Sequence, residues 1–283
     1  VRFLKRSVAE LKPVNAQGEY YLTDIVGAAV REGVEVRPYL LRRAELALGA
    51  NGREELSALE EIRRKELVKK FMEGGVTFED PNGVYLEEDV TIGQDCFIGA
   101  GVKLRGKTAV GKGSRIEGPA LIVDTNIGEN NQIKANCVIE SSTIGNECAV
   151  GPFAHLRPGS ILESEVKIGN FVETKAVKLG AGAKASHLSY LGDAEIGPKT
   201  NIGAGTIICN YDGVNKHRTT IGEGVFVGSN STLVSPVNIG AGSFVAAASA
   251  ITEDVPAGAL AIGRARQVVK TDWVAKNKRE KKG

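Results

Sequence analysis

The chain has 283 residues, a net charge of +2, 42% hydrophobic and 25% charged residues, which describes a globular protein of one large or two modest domains. That charge is too small to argue for nucleic acid, and no run approaches the ~18 apolar residues that span a membrane. Gly is frequent at 35 residues and aromatics are scarce at 5%, a balance that favours many tight turns over a large aromatic core.

In chain order, residues 1–51 read as a mixed α/β piece too short to be a complete domain. Its stretch "NAQGEYYLTDIVGAAVREG" predicts a loop and an amphipathic helix with Ile25, Ala28, Ala29 and Val30 as the apolar stripe. "VEVRPYLL" (34–41) then predicts a strand. Residues 52–81 hold a linker helix: Leu56, Leu59, Ile62, Leu67, Val68 and Phe71 recur at helical spacing among Glu, Lys and Arg, and Gly74-Gly75 stop it.

From residue 82 the texture changes to a six-residue beat. Leu86, Ile92, Ile98, Leu104, Val110, Ile116 and Ile122 are all aliphatic, often with Gly next. The phase slips back one residue to Ile127, Ile133 and Ile139, and again to Ile144, Val150, Leu156, Leu162 and Ile168. It resumes as Ile196, Ile202, Ile208 and then Ile221 through Ile251. Neither a helix nor an ordinary strand has that period; a hexapeptide beat is the mark of a parallel β-helix. Residues 82–255 would make about ten coils stacked roughly 4.8 Å apart. The slips predict shortened corners. The step from Ile208 to Ile221, one residue over two beats, predicts a bulged polar corner. Residues 256–283 read as a C-terminal extension with a basic tail, expected to be solvated and partly disordered beyond Lys276. The chain begins at Val1 and not Met, so it reads as part of something longer. The four cysteines have no metal-site spacing and read as small residues of a reducing compartment.

A regular solenoid does not require polar residues to bunch, yet between 151 and 216 they do. Arg157, Lys175, His187, Tyr190, Asn201, Asn210, Tyr211 and Lys216 fall there. Arg157 and Lys175 are three beats apart, one full coil, and a single slip would bring the others to the same edge. Cations gathered in that way bind phosphate or carboxylate. Taken singly, each is an ordinary solvated side chain; the grouping carries the inference. His155 and His217 are given no role, and the Asp193/Glu195 pair in "GDAEIG" is read as structural. His187 and Tyr190 are off the aliphatic beat while Ala185 and Leu191 keep the coil, so the core does not require that pair.

The blocks "HLSYLGDAEIG" and "NIGAGTIICNYDG" closely resemble the acetyltransferase part of the bacterial bifunctional N-acetylglucosamine-1-phosphate uridyltransferase/glucosamine-1-phosphate acetyltransferase family. "NAQGEYYLTDI" and "LGANGREEL" are similar to the end of the same family's nucleotidyltransferase domain, so the resemblance covers essentially the whole chain. It implies a left-handed winding for the β-helix, a cytoplasmic homotrimer with sites between subunits, and acetyl transfer from acetyl-CoA to the amine of glucosamine-1-phosphate. By it His187 is the general base and the Ala204 N–H the oxyanion donor. Arg157, Lys175, Tyr190, Asn201 and Lys216 contact the sugar phosphate. Ala204, Asn210, Tyr211, Ser229, Ala247 and Arg264 contact acetyl-CoA. Asn51 matches a residue that helps hold Mg²⁺ and the uridine nucleotide, but the family's Gly-rich nucleotide loop and metal-binding Asp are absent. Uridylyl transfer is therefore expected to be missing from this chain. No nucleic-acid or membrane partner is implied.

Three other readings remain. One is a hexapeptide acyltransferase for a different amine or hydroxyl, against which the cation cluster and "NYDG" argue. A second is a β-helix carbonic anhydrase, which needs three metal-binding histidines, some of them close in sequence. His155, His187 and His217 are instead widely and almost evenly separated. The third is a non-catalytic regulatory solenoid, which would not bunch polar residues around His187.

Overall fold

The computed structural model describes residues 1–275 and divides into two compact units, residues 1–59 and 60–283. The expected tail beyond Lys276 lies outside the described residues.

The first unit is helical. Helix α1 (Arg2–Glu10) and helix α2 (Asp24–Arg31) are joined by an Arg6–Glu32 ion pair. Ile25 and Ala29, one helical turn apart, form the buried face of α2, whereas Val30 turns to solvent. The strand expected at 34–41 does not form, and Tyr39 and Leu40 are exposed. An extended segment becomes a strand only when a neighbour takes up its N–H and C=O groups, and residues 1–59 contain no other strand.

Helix α3 runs Arg53–Glu73. In the second unit its Leu67, Val68 and Phe71 are buried in one cluster with Val76, Phe78, Val84 and Leu86. They cover the apolar end that the first coil of a solenoid would otherwise expose. Gly75 (φ 91°) ends the helix in the left-handed region, and the Val76 N–H reaches back to the Phe71 carbonyl.

The rest is a parallel β-helix of three faces. The first face is an eleven-stranded ladder from Thr77–Phe78 to Leu260–Ala261. The second runs from Tyr85–Leu86 to Ala250–Ile251, and the third from Thr91–Ile92 to Val237–Ile239. In two coils a strand continues round the corner between the second and third faces, Glu173–Leu179 and Tyr190–Ile196. The ladder thus extends beyond 82–255 at both ends. Its outermost strands escaped the sequence pattern because Phe78 and Ala261 do not fall on the six-residue beat.

Almost every beat residue is buried and stacks on its equivalent. Leu104 pairs with Ile122, Ile122 with Ile139, and Ile139 with Leu156; each of the last two coils is one residue shorter than the first. The phase slips are these shorter coils, turned at Asp124 (φ 45°) and Ser141 (φ 42°). The polar corner after Ile208 is larger than the beat suggested. Ile196 pairs with Ile221, so this coil is seven residues longer than the one that joins Leu104 to Ile122. The surplus forms a projecting hairpin closed by a Tyr211–Lys216 antiparallel bridge. Asp212 holds it: one carboxylate oxygen accepts from the Val214 and Asn215 N–H groups at 2.7 and 2.6 Å, the other meets His217 Nε2 at 2.6 Å. These contacts, the Asn215 N–H first, lower the Asp212 carboxyl to about 2, so they hold above the ordinary carboxylate range and fail only as pH falls towards 2.

Ile139 is fully buried between Ile122 and Leu156. Ile139→Ala should lower the stability of the solenoid by about 2–4 kcal/mol in urea unfolding followed by circular dichroism. An unchanged midpoint would contradict the view that the stacked column holds the coils together.

Candidate functional site

The second face gathers most of the predicted cations. Arg157 donates its N–H to the Thr174 carbonyl, which sets it beside Lys175, and Lys175 is in register with Gly192. One residue column to the side run His155, Glu173 and Tyr190. Arg157 Nη1 donates to Glu173 Oε1 at 2.8 Å, which holds the guanidinium above its usual range. Lys175 Nζ reaches both Asp193 oxygens at 3.1 Å, and Asn210 Nδ2 donates to the same carboxylate. The hairpin brings Lys216 alongside Lys175. Hydrogen bonding with Lys175 and then repulsion between the two ammonium groups push Lys216 below the usual amine range. Lys175, bonded to Lys216 and braced by Asp193, is held above it. Burial would raise the Asp193 carboxyl, but Lys175 and Asn210 outweigh it and keep the group below the usual range.

Asp193, read from sequence as structural, therefore sits at the centre of the cluster. It stands three six-residue beats after Lys175, next to that residue's register partner Gly192, and that spacing was a usable signal. Glu173 and Gly192 were also missed. A Cβ at Gly192 would lie 2.5 Å from Tyr190 Oη and 2.9 Å from Asn210 Nδ2, so only glycine lets the phenol and the amide close over that strand.

His187 ends the first-face strand Lys184–His187, and Tyr190 begins the second-face strand after a two-residue corner. The exposed imidazole has Nδ1 at 3.0 Å from Asn170 Oδ1, the residue beside it in register. Beyond His187 the same edge carries small residues. The Gly205 N–H bonds the His187 carbonyl, that of Asn230 the Ala204 carbonyl, and that of Ala248 the Ser229 carbonyl. Ala204, Ser229 and Ala247 thus follow one another along the edge, next to His187. The N–H groups of Gly203 and Gly205 are taken by Val227 and His187 carbonyls, whereas among the described residues no acceptor takes that of Ala204.

Arg264 is exposed just past the last first-face strand, and Tyr211 is exposed on the hairpin with its hydroxyl on the Gly213 carbonyl. Asn201 does not join the cationic group. It stands on the first face between Lys184 and Phe226, so the single edge expected from sequence is in fact two adjoining faces. His155 pairs with Glu140 at 3.2 Å. Asn51 lies two residues before α3, where its N–H and that of Gly52 donate to Glu55 Oε2. Among the described residues no three His, Cys, Asp or Glu side chains are grouped to hold a metal ion. Among them, too, no helix is long and apolar enough to cross a membrane.

The repeat and its parallel ladders define a hexapeptide-repeat β-helix, the left-handed class, and a model of the hexapeptide repeat of succinyl-transferase matches residues 218–253. A model of the GMPPB C-terminal domain matches residues 81–179. Within that class the chain is a relative of proteins named bifunctional protein GlmU. It is 46% identical to that of Trichlorobacter lovleyi over 98% of this chain and 60% of that protein. The figures are 49%, 98% and 57% for Anaeromyxobacter sp. and 47%, 96% and 60% for Streptococcus thermophilus. The chain spans about 60% of the length of these relatives.

Because Lys175 depresses Lys216, Lys216 should be acylated by acetic anhydride at pH 8 faster than the other exposed lysines, read by mass spectrometry. Lys175→Met removes the repulsion, raises the Lys216 amine towards its ordinary value and should slow that labelling about three-fold or more. Equal labelling in both proteins would show that the two amines do not interact.

Proposed function

We propose that this chain transfers the acetyl group of acetyl-CoA to the amine of glucosamine-1-phosphate, giving N-acetylglucosamine-1-phosphate. The observation that carries this is the two-residue corner joining His187 to Tyr190: a candidate base and a phosphate-sized cation cluster meet at one edge of the solenoid. The resemblance of these blocks to the glucosamine-1-phosphate acetyltransferases supports the choice of substrates.

Arg157, Lys175 and Lys216 receive the phosphate, with Tyr190 beside it and Asn210 braced on Asp193. His187 Nε2 takes a proton from the sugar ammonium so that the amine can attack the thioester carbonyl; imidazole is suited to this near neutral pH. The Ala204 N–H is placed to receive the carbonyl oxygen as it becomes negative. The C–N bond forms and the C–S bond breaks; of the two protons that the nitrogen loses, the one held on His187 goes to the departing CoA thiolate and the other goes to water. The small residues Ser229 and Ala247 leave a narrow track along the edge for the pantetheine arm, with Arg264 near its far end and Tyr211 on the hairpin.

The same proposal includes a homotrimer in the cytoplasm. Asn201 stands on the first face, away from the cations of the second, and exposed Phe153, Phe171 and Leu188 line the corner next to His187. A neighbouring copy would cover that apolar ridge and bring an Asn201 to the cations. No step is assigned to Mg²⁺ or to uridylyl transfer.

Thiol release from acetyl-CoA should require glucosamine-1-phosphate and fall sharply with glucosamine, which offers the cations nothing. His187→Ala should cost at least about 100-fold in kcat. Gly192→Ala, which displaces Tyr190 and Asn210, should raise KM for the sugar phosphate about ten-fold with a smaller change in kcat. Equal turnover of glucosamine and its phosphate would refute the assignment of the cation cluster.

A further inference from the structure

We infer that Asn170 is a positioning residue for His187: its side-chain oxygen accepts the Nδ1–H and so leaves Nε2 as the unprotonated nitrogen. This rests on the reading of His187 as base, and it concerns the ring state that such a base requires.

Free imidazole can carry its one proton on either nitrogen, and the hydrogen bond at one nitrogen decides which. The strands Lys167–Asn170 and Lys184–His187 pair in parallel, and the register sets Asn170 directly beside His187. Gly169 permits this approach, since a Cβ there would lie 1.9 Å from the Ser186 carbonyl oxygen. The Asn170 main chain is also fixed, for its carbonyl accepts the Leu188 N–H at 3.1 Å. Both residues are thus held by backbone pairing, and the 3.0 Å contact between Nδ1 and Oδ1 follows from that register. His187 projects beyond the core and has no other side-chain partner among the described residues, so the Asn170 amide is the group that can set its tautomer. An amide suits this better than a carboxylate. It accepts the hydrogen bond without adding a negative charge that would favour the protonated, non-basic imidazolium.

Two measurements test this independently. In ¹⁵N-histidine-labelled protein above pH 8, His187 should show a protonated Nδ1 and an unprotonated Nε2. His155→Gln and His217→Gln variants assign the signals. Asn170→Ala should return His187 to the mixed state of a free imidazole. In kinetics, Asn170→Ala should lower kcat about ten-fold with little change in KM for the sugar phosphate. Asn170→Asp, nearly isosteric, should move the acid limb of the kcat profile upward by about one pH unit. The other titratable groups around the ring are unchanged by that substitution: Lys184 on its own strand, Lys167 on the preceding strand, and Tyr190 and Glu173 round the corner. The strand Asn201–Ile202 on the other side brings none.

An Nε2-protonated His187 in the parent protein, or a tautomer and acid limb that ignore both substitutions in a folded protein, would overturn the inference. Loss of the base role is a separate result: His187→Ala would then keep its activity while the tautomer still depended on Asn170.

Discussion

The constraint on which everything else depends is the register of one coil on the next. Parallel pairing places each buried aliphatic residue on its equivalent one coil away and, by the same act, each outward side chain beside its own. Ile122, Ile139 and Leu156 stack inward while, one position on, Arg157 adjoins Lys175; on the first face Asn170 adjoins His187 two positions past the buried Ile168 and Ala185. Core and site are therefore two readings of a single repeat. A change in coil length shifts both at once, which is why the surplus after Ile208 leaves the solenoid as a hairpin and does not enter its wall.

That hairpin resolves a difficulty of flat faces. A prism presents ridges of side chains but no depth, and a small anion needs donors from more than one direction. Arg157 and Lys175 rise from the wall, and Lys216 arrives over them from the loop. The three cations repel one another, and two carboxylates, Glu173 and Asp193, offset part of that repulsion. The hydrogen bond with Lys175 and then the repulsion that remains push the Lys216 amine down, and in the proposed function a phosphate would relieve that repulsion.

How much of this could be read from the sequence follows from the same geometry. The beat from Leu86 to Ile251 was legible because aliphatic burial recurs with a period that no other fold uses. His187 and Tyr190 stood out as candidates because they fall off that beat. Asp193 was read as structural, but its partners were not legible: "GDAEIG" looks like a turn in one dimension, while Lys175 and Asn210 are about a coil away along the chain and meet it only across the stack. Asn201 was set on the wrong edge because spacing gives position along a coil but not the corner at which a face ends. The extended stretch at 34–41 has strand-like composition, yet pairing is a property of neighbours, and none lies within residues 1–59.

The division between wall and corner also explains the distribution of roles. In the proposed function the side chains at the charged ligand stand within strands: Lys175 and Asp193 lie inside continuous seven-residue strands and are each only about one-fifth exposed. The residues proposed to meet acetyl-CoA stand at the edge, where Ala204, Ser229 and Ala247 keep side chains short and, among the described residues, no acceptor takes any of their three backbone N–H groups. His187 occupies the last position at which both demands can be met. Its backbone is still paired with Asn170, and its ring already projects past the sheet. One residue further on, Leu188 has a left-handed backbone (φ 49°) and lies past the end of the strand. Earlier on the same strand, Ala185 is sealed in the core. Position 187 is where a solenoid of this register can offer an imidazole that is both held and free to act.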